Sequence, residues 1–298
     1  MKMADAERYI SERLQQVYEK SEAKNIAGLL IEHITTLSKN ERLSRNDYEL
    51  TTEHELAFRD NIQRLLNHEP IQYIMNKSWF YGMELYVDHS VLIPRPETEE
   101  LVEWIINDIK ASGLEVFTRE MAGADKTNLL KVLDVGTGSG CIALALKKTM
   151  PAAEVWGCDV SEVALNVARR NGSALDIRVD FQGLNFLDPE QQRQLPTVNI
   201  LVSNPPYIPT KDKQLMDRNV VEHEPHLALF VPDDDPLVFY RALVKFGMHR
   251  LYQNGTIYME IHEDLGSHVT DMFTEEGYSS VELKKDMQGK NRMVKVKK

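Results

Sequence analysis

From about Asp5 to Glu69 the apolar residues recur at three- and four-residue spacings, as in Ile26, Leu29, Leu30, Ile34 and Leu37, then Leu56, Ile62, Leu65 and Leu66. The spacing predicts several short amphipathic helices. Breaks fall near Ser38–Asn40 and Ser44–Asp47, where Ser44 or Asn46 can cap the helix that follows. Residues 1–69 are therefore expected to form a small all-α bundle. Between Pro70 and Pro94 the period turns β-like, with Trp79, Tyr81, Leu85, Tyr86, Val87, Val91 and Ile93 around Gly82, which predicts a β-hairpin linker over residues 70–94. Pro94-Arg95-Pro96 then holds an extended segment before a helix with Leu101, Val102, Ile105, Ile106 and Ile109 on one face, Pro96 suiting its first turn. The polar stretch from Gly113 to Asn128 reads as a surface loop or a frayed helix end.

Beyond that stretch, strand and helix patterns alternate. Strands are expected at Leu129–Val135, Ala153–Cys158, Ile177–Phe181, Val198–Val202, Gly255–Ile261, Ser279–Leu283 and Arg292–Val296. Helices are expected at Cys141–Met150, Ser161–Asn171, Leu237–Tyr252 and Leu265–Glu276. Such alternation predicts an α/β domain with a largely parallel sheet over residues 95–298.

Composition narrows the partners. The 298 residues are 42% hydrophobic and 27% charged, enough for two cores. A net charge of −11 repels a phosphate backbone unless positive charge is gathered locally, so no direct nucleic-acid binding is expected. Cys141 and Cys158 both stand in apolar settings without metal-ligand spacing, which points away from a disulfide framework or a zinc site and toward a reducing cytoplasm. Met1 to Glu12 is charged throughout, and no apolar run approaches the roughly 18 to 20 residues of a membrane span, so neither export nor insertion is expected. His33, His54 and His68 stand singly and suggest no ligand cluster.

Three stretches carry candidate chemistry. Gly136-Thr137-Gly138-Ser139-Gly140 lies between a strand and a helix, where alternate glycines let the backbone approach a ligand. A dinucleotide fingerprint begun at Gly136 requires glycine where Cys141 stands, and no Gly-Lys-Ser/Thr follows. The loop is similar instead to the cofactor loop of Rossmann-like S-adenosylmethionine methyltransferases. Asp159, 19 residues beyond Gly140 at the tip of the second strand, is placed to bind both hydroxyls of a ribose. At the end of the third strand Leu184 stands where many such proteins carry an acid, leaving Asn185 or Phe186 as the expected adenine contact.

The second stretch is Asn204-Pro205-Pro206-Tyr207, which follows a buried strand. Proline fixes φ, lacks an N–H and stiffens the residue before it, so this segment offers acceptors from a nearly rigid backbone. With the Tyr207 ring alongside, it suits a planar NH2 group, and its chemistry alone leaves a nucleobase and a glutamine amide equally open. Taken in isolation it also fits a plain proline-rich turn. The third is Glu222-His223-Glu224-Pro225-His226-Leu227-Ala228-Leu229 in the polar segment Lys211–Asp235. Its histidines and glutamates hint at a metal, but Pro225 interrupts the spacing, and a mobile lid over a substrate is the expectation.

Taken together, the chain resembles the PrmC/HemK family of protein-(glutamine-N5) methyltransferases that modify peptide chain release factors. The resemblance rests on Pro70-Ile71-Gln72-Tyr73-Ile74, Phe80-Tyr81-Gly82, Leu92 to Glu99 with its Pro-Arg-Pro-Glu-Thr-Glu core, the Gly136–Gly140 loop, Asn204–Tyr207, Glu224–Leu229 and Asn291-Arg292. It implies a Rossmann-like class I S-adenosylmethionine-dependent methyltransferase domain, preceded by an all-α substrate-recognition bundle and a β-hairpin linker. The implied activity is methylation of the glutamine in the Gly-Gly-Gln motif of release factors, a step in translation termination. Asn204, Pro205 and Tyr207 would be catalytic, with Pro206 joining them in substrate binding. Gly136, Thr137, Gly138, Ser139, Gly140, Asp159, Asn185, Phe186 and Asn204 would hold S-adenosyl-L-methionine. Asn-Pro-Pro-Tyr is shared with adenine-N6 and guanine-N2 nucleic-acid methyltransferases, which remain one alternative. A non-catalytic S-adenosylmethionine-binding adaptor is another.

Overall fold

The computed structural model describes residues 1–44, 48–113 and 129–298. The polar stretch after Gly113 and the candidate cap Asn46 lie outside them. Ser44 ends the helix Lys39–Ser44, and the next helix, Thr52–Leu66, is capped instead by Thr51, whose hydroxyl accepts from the His54 N–H at 3.2 Å.

Two compact units are present. The first comprises Met1–Lys77 and Met216–His223, the second Ser78–Leu215 and Glu224–Lys298. In the helical unit, Met3–Leu14, Lys20–Thr35 and Thr52–Leu66 turn their apolar stripes inward, burying Ile10, Leu14, Leu30, Ile31 and Leu65. Leu29 and Leu56, members of the same apolar pattern, are exposed. The unit runs past residue 69, because Ile71–Met75 is a short helix that adds Ile71 and Ile74 to this core. The later helix Arg218–His223 also belongs here, with the His223 ring donating to the Asn67 carbonyl at 2.9 Å.

The second unit begins with the hairpin β1 (Ser78–Phe80) and β2 (Met83–Leu85). Its two-residue turn, Tyr81-Gly82, has φ of 48° and 68°, the paired positive values of a turn whose twist matches its strands. Phe80, Met83 and Leu85 are fully buried in the unit's core, so the hairpin is part of that core rather than a free linker. The helix Pro96–Ala111 follows, with Pro96 in its first turn.

The remaining strands are β3 (Lys131–Val135), β4 (Glu154–Asp159), β5 (Asp180–Gly183), β6 (Val198–Ser203), β7 (Ile208–Pro209), β8 (Phe230–Val231), β9 (Leu251–Glu260), β10 (Ser280–Lys285) and β11 (Asn291–Lys297). Seven of them form one sheet in the order β10-β11-β9-β6-β3-β4-β5. The five strands from β9 to β5 are parallel, and β11 and β10 add an antiparallel edge. The central strands are buried on both faces, which explains their continuous apolar runs. Strand order reverses between β3 and β6, whose C-terminal ends are joined by the Ser203 hydroxyl donating to the Val135 carbonyl at 2.8 Å. Open α/β sheets bind their ligands at such a switch point. No described helix is long and apolar enough to cross a membrane.

Candidate active site

A cavity of about 330 Å³ opens at that switch point, lined among others by Gly136, Gly138, Asp159, Leu184, Phe186 and Asn204. Gly136 and Gly138 have φ of 71° and 53°, and a Cβ on either would meet no atom within 4 Å. Both therefore leave open space beside the loop backbone that a side chain would occupy. Gly140 serves differently: a Cβ there would come within 3.1 Å of Phe181 and 3.2 Å of Ala168, so its glycine lets the helix Cys141–Thr149 pack closely. Thr137, Ser139 and Gly140 do not line the cavity.

The Asp159 carboxylate is fixed by the backbone. Gly138 N–H donates to Oδ2 and Ser161 N–H to Oδ1, both at 2.9 Å, leaving further lone pairs for a diol. Burial pushes its carboxyl above the usual range, against those N–H bonds. Behind the loop, Thr137 donates to Asp134 Oδ2 at 2.6 Å, while Asp134 Oδ1 is buried with no partner among the described residues. Burial raises the Asp134 carboxyl to about 7. Asn171 braces the loop from another side, its amide group donating to the Ser139 and Tyr86 carbonyls at 3.0 Å each.

Beyond β5 the lining is apolar. Leu184 is buried where an acid was a reasonable expectation, and Phe186 packs against Phe246 with ring centroids 5.3 Å apart. Asn185 lines the cavity, but its amide oxygen already accepts from Leu187 N–H at 3.0 Å. Flatness and apolarity, rather than a carboxylate, mark this end for a planar ring.

At the opposite end, Asn204, Pro205 and Pro206 line the cavity. Asn204 Nδ2 donates to Thr98 Oγ1 at 3.0 Å, and Thr98 Oγ1 donates to Glu260 Oε2 at 2.8 Å. Tyr207 is not among the lining residues; its hydroxyl donates to Glu260 Oε1 at 3.0 Å, and its ring meets His262 edge-on at 6.0 Å. Burial pushes the Tyr207 hydroxyl up, opposed by the positive charge of Arg292. Burial raises the Glu260 carboxyl, opposed by the bonds from Thr98 and Tyr207 and by Arg292.

The segment Pro94–Glu99 is spent on ties. Arg95 pairs with Glu224, whose other oxygen accepts from Ile93 N–H at 3.1 Å. Glu99 accepts from Tyr81 N–H at 3.0 Å and Glu97 from the Gln288 amide at 3.2 Å. The three acid-histidine neighbours at 222–224 part company: Glu222 pairs with Arg218, His223 with Asn67, and Glu224 with Arg95. Lys211–Asp235 is folded into short helical turns and the parallel pair β7 and β8, and it walls the cavity with Pro225, Leu227 and Ala228. Thr98 and Glu260 do not stand out as site residues in the sequence. One signal was present, since Glu260 closes the apolar run Ile257-Tyr258-Met259, and a buried carboxylate requires partners.

Two family models match the sequence, the PrmC N-terminal domain over residues 5–75 and the Methyltransferase small domain over residues 112–227. A release factor glutamine methyltransferase of Streptococcus pneumoniae is 38% identical over 298 residues, covering 99% of this chain and 98% of that protein. Another, from Flavobacterium psychrophilum, is 37% identical over 284 residues, covering 95% and 94%. Among solved structures, the hMettl16 catalytic domain in complex with MAT2A 3'UTR hairpin 6 superposes with a TM-score of 0.52 at 15% identity, covering 73% of this chain and 75% of that one, a likeness of fold alone.

Proposed function

The chain belongs to the release factor glutamine methyltransferase family, and from that premise we propose that it methylates the side-chain amide nitrogen of the glutamine in the Gly-Gly-Gln motif of peptide chain release factors. It is a Rossmann-like class I methyltransferase whose cofactor is S-adenosyl-L-methionine. The residues at the cavity fit that cofactor. Gly136 and Gly138 leave a cradle that a Cβ would fill, Asp159 presents lone pairs for the ribose, and Leu184 and Phe186 form an apolar slot. When bound, the cofactor supplies an electrophilic methyl group on a sulfonium.

The rest falls to this chain's own residues. An amide nitrogen is a poor nucleophile because its lone pair is delocalised into the carbonyl. Asn204 Oδ1 and the Pro205 carbonyl accept its two N–H bonds, holding the lone pair toward the cavity. The positive charge that develops on nitrogen strengthens both bonds, so the stabilisation is greatest in the transition state. The methylated nitrogen is then acidic and sheds a proton to water without a general base. Tyr207 bounds the glutamine side of the motif. The helical unit grips the release factor away from the reacting atoms and supplies remote binding energy. Release factors act in the cytoplasm, which is the proposed location, and no direct nucleic-acid binding is proposed for a chain of charge −11.

The observation that carries this reading is the fixed orientation of Asn204 beside the cavity, which leaves Oδ1 available as an acceptor. Labelled cofactor is incubated with the protein and release factors, and the methyl is located by mass spectrometry. One methyl on the glutamine amide is expected. Label on adenine or guanine of added nucleic acid, or cofactor binding with no transfer to any release factor, overturns it.

A further inference from the structure

The hydrogen bonds around Glu260 share one direction. Tyr207 donates to Glu260 Oε1, Thr98 donates to Glu260 Oε2, and Asn204 donates to Thr98. Every donor points, directly or through one hydroxyl, at a carboxylate that is only 3% exposed. A carboxylate is an acceptor at both oxygens and a threonine hydroxyl has a single proton. Once that proton is given to Glu260, Thr98 shows Asn204 only lone pairs. The Asn204 amide has two chemically different arms, and only its NH2 arm is attracted to a lone pair.

We propose that Glu260 and Thr98 are positioning residues whose fixed hydrogen-bond polarity sets the rotamer of Asn204, holding Oδ1 toward the cavity as the acceptor for the substrate amide. The inference rests on the functional reading above and deepens it. A flipped Asn204 presents an N–H to the substrate's N–H, turning attraction into repulsion, although the side chain fills the same volume. Shape alone does not distinguish the two rotamers; the buried carboxylate does. Glu260 lies at the end of β9 and Thr98 in the first turn of the helix Pro96–Ala111, so two rigid elements hold the device. Tyr207 enters it as the group that keeps Glu260 Oε1 occupied by a donor, so that the other oxygen faces Thr98.

The polarity argument predicts an isosteric inversion. In Glu260→Gln the amide oxygen keeps the Tyr207 hydroxyl, because the Arg292 cation that acts on that hydroxyl disfavours an approaching NH2, and the new NH2 faces Thr98. Thr98 then accepts from residue 260 and turns its proton to Asn204, which flips to receive it. The test is single-turnover methyl transfer to a release factor at saturating cofactor, with cofactor affinity measured by calorimetry. Glu260→Gln is expected to lower the transfer rate about 100-fold, as for loss of one transition-state partner, with cofactor affinity within about twofold of wild type. Adding Asn204→Asp, which can accept from Thr98 with one oxygen and from the substrate with the other, is expected to recover at least tenfold of that loss. Thr98→Ser is expected to stay within about threefold of wild type, and Thr98→Val to fall about as far as Glu260→Gln. A wild-type rate in Glu260→Gln, or a double variant no faster than Glu260→Gln when both bind cofactor normally, overturns the inference and leaves the functional reading standing. Failure of the wild-type protein to methylate any release factor overturns both.

Discussion

The Arg95 guanidinium rests on Glu224, a carboxylate whose side chain is 1% exposed and which sits 129 residues away in the chain. Burial pushes the Glu224 carboxyl up, while Arg95 and the Ile93 N–H pull it down. An unpaired buried charge is the costly state of such a pair. Arg95→Ala is expected to destabilise the protein by about 2–4 kcal/mol in urea titrations. Glu224→Gln, whose amide can still accept from Ile93, is expected to cost about 1 kcal/mol. The double variant is expected to be milder than Arg95→Ala alone, and a fully additive double variant would sink this account.

Removing the acceptor itself has a kinetic signature. Asn204→Ala is expected to lower single-turnover methyl transfer about 100- to 1000-fold, the range for loss of one preorganised transition-state partner. Cofactor affinity should change far less. An unchanged rate would exclude Asn204 Oδ1 from the reaction.

The cofactor end yields to calorimetry. Asp159→Ala removes the group placed to bind the ribose and frees the Gly138 and Ser161 N–H groups, so affinity for S-adenosylmethionine is expected to drop by roughly 10- to 100-fold, on the scale of a bond to a charged group. Gly138→Ala acts through a Cβ in the cradle and through its φ of 53°, with a similar direction of effect. Equal affinity in both variants would move the cofactor elsewhere.

Asp134 gives stability a pH slope. Burial raises its folded-state carboxyl to about 7, with the Thr137 hydroxyl and Ala143 N–H opposing and Asp159 adding to the rise; the Cys141 and Cys158 thiols are its other titratable neighbours. The folded state therefore holds this proton more tightly than the unfolded chain. Its contribution is complete below about pH 4 and is lost as pH rises toward 7. Unfolding free energies of cofactor-free protein and Asp134→Asn are expected to diverge across that window by about 2–4 kcal/mol, wild type losing the more. Parallel curves would contradict the assignment.

Much of this was legible in residue order. Helical spacing exposes the bundle, continuous apolar runs expose the central strands, and Gly136, Gly138 and Asp159 mark the place where the cavity opens. The misses have physical causes. Residues 70–77 read as linker because Ile71–Met75 is a single helical turn and too short to show a period. Leu29 and Leu56 fit a stripe that faces solvent, since spacing reports a face but not what covers it. The tie between Thr98 and Glu260 spans 162 positions and exists only because the sheet brings β9 beside the helix start. Asn-Pro-Pro-Tyr shows that acceptors are present, whereas the orientation of Asn204 follows from the neighbouring Thr98 hydroxyl and the Glu260 carboxylate beyond it.

The helix Arg218–His223 bears on how the protein is made. It belongs to the helical unit, yet it is encoded after the first four strands of the large sheet. A chain emerging from the ribosome folds in the order of synthesis, N-terminal domain first where it can. Here one helix of the first unit appears only when residue 223 has been made. The core of that unit lies within residues 3–75, so Arg218–His223 is added to the outside of a bundle whose buried residues have already been made.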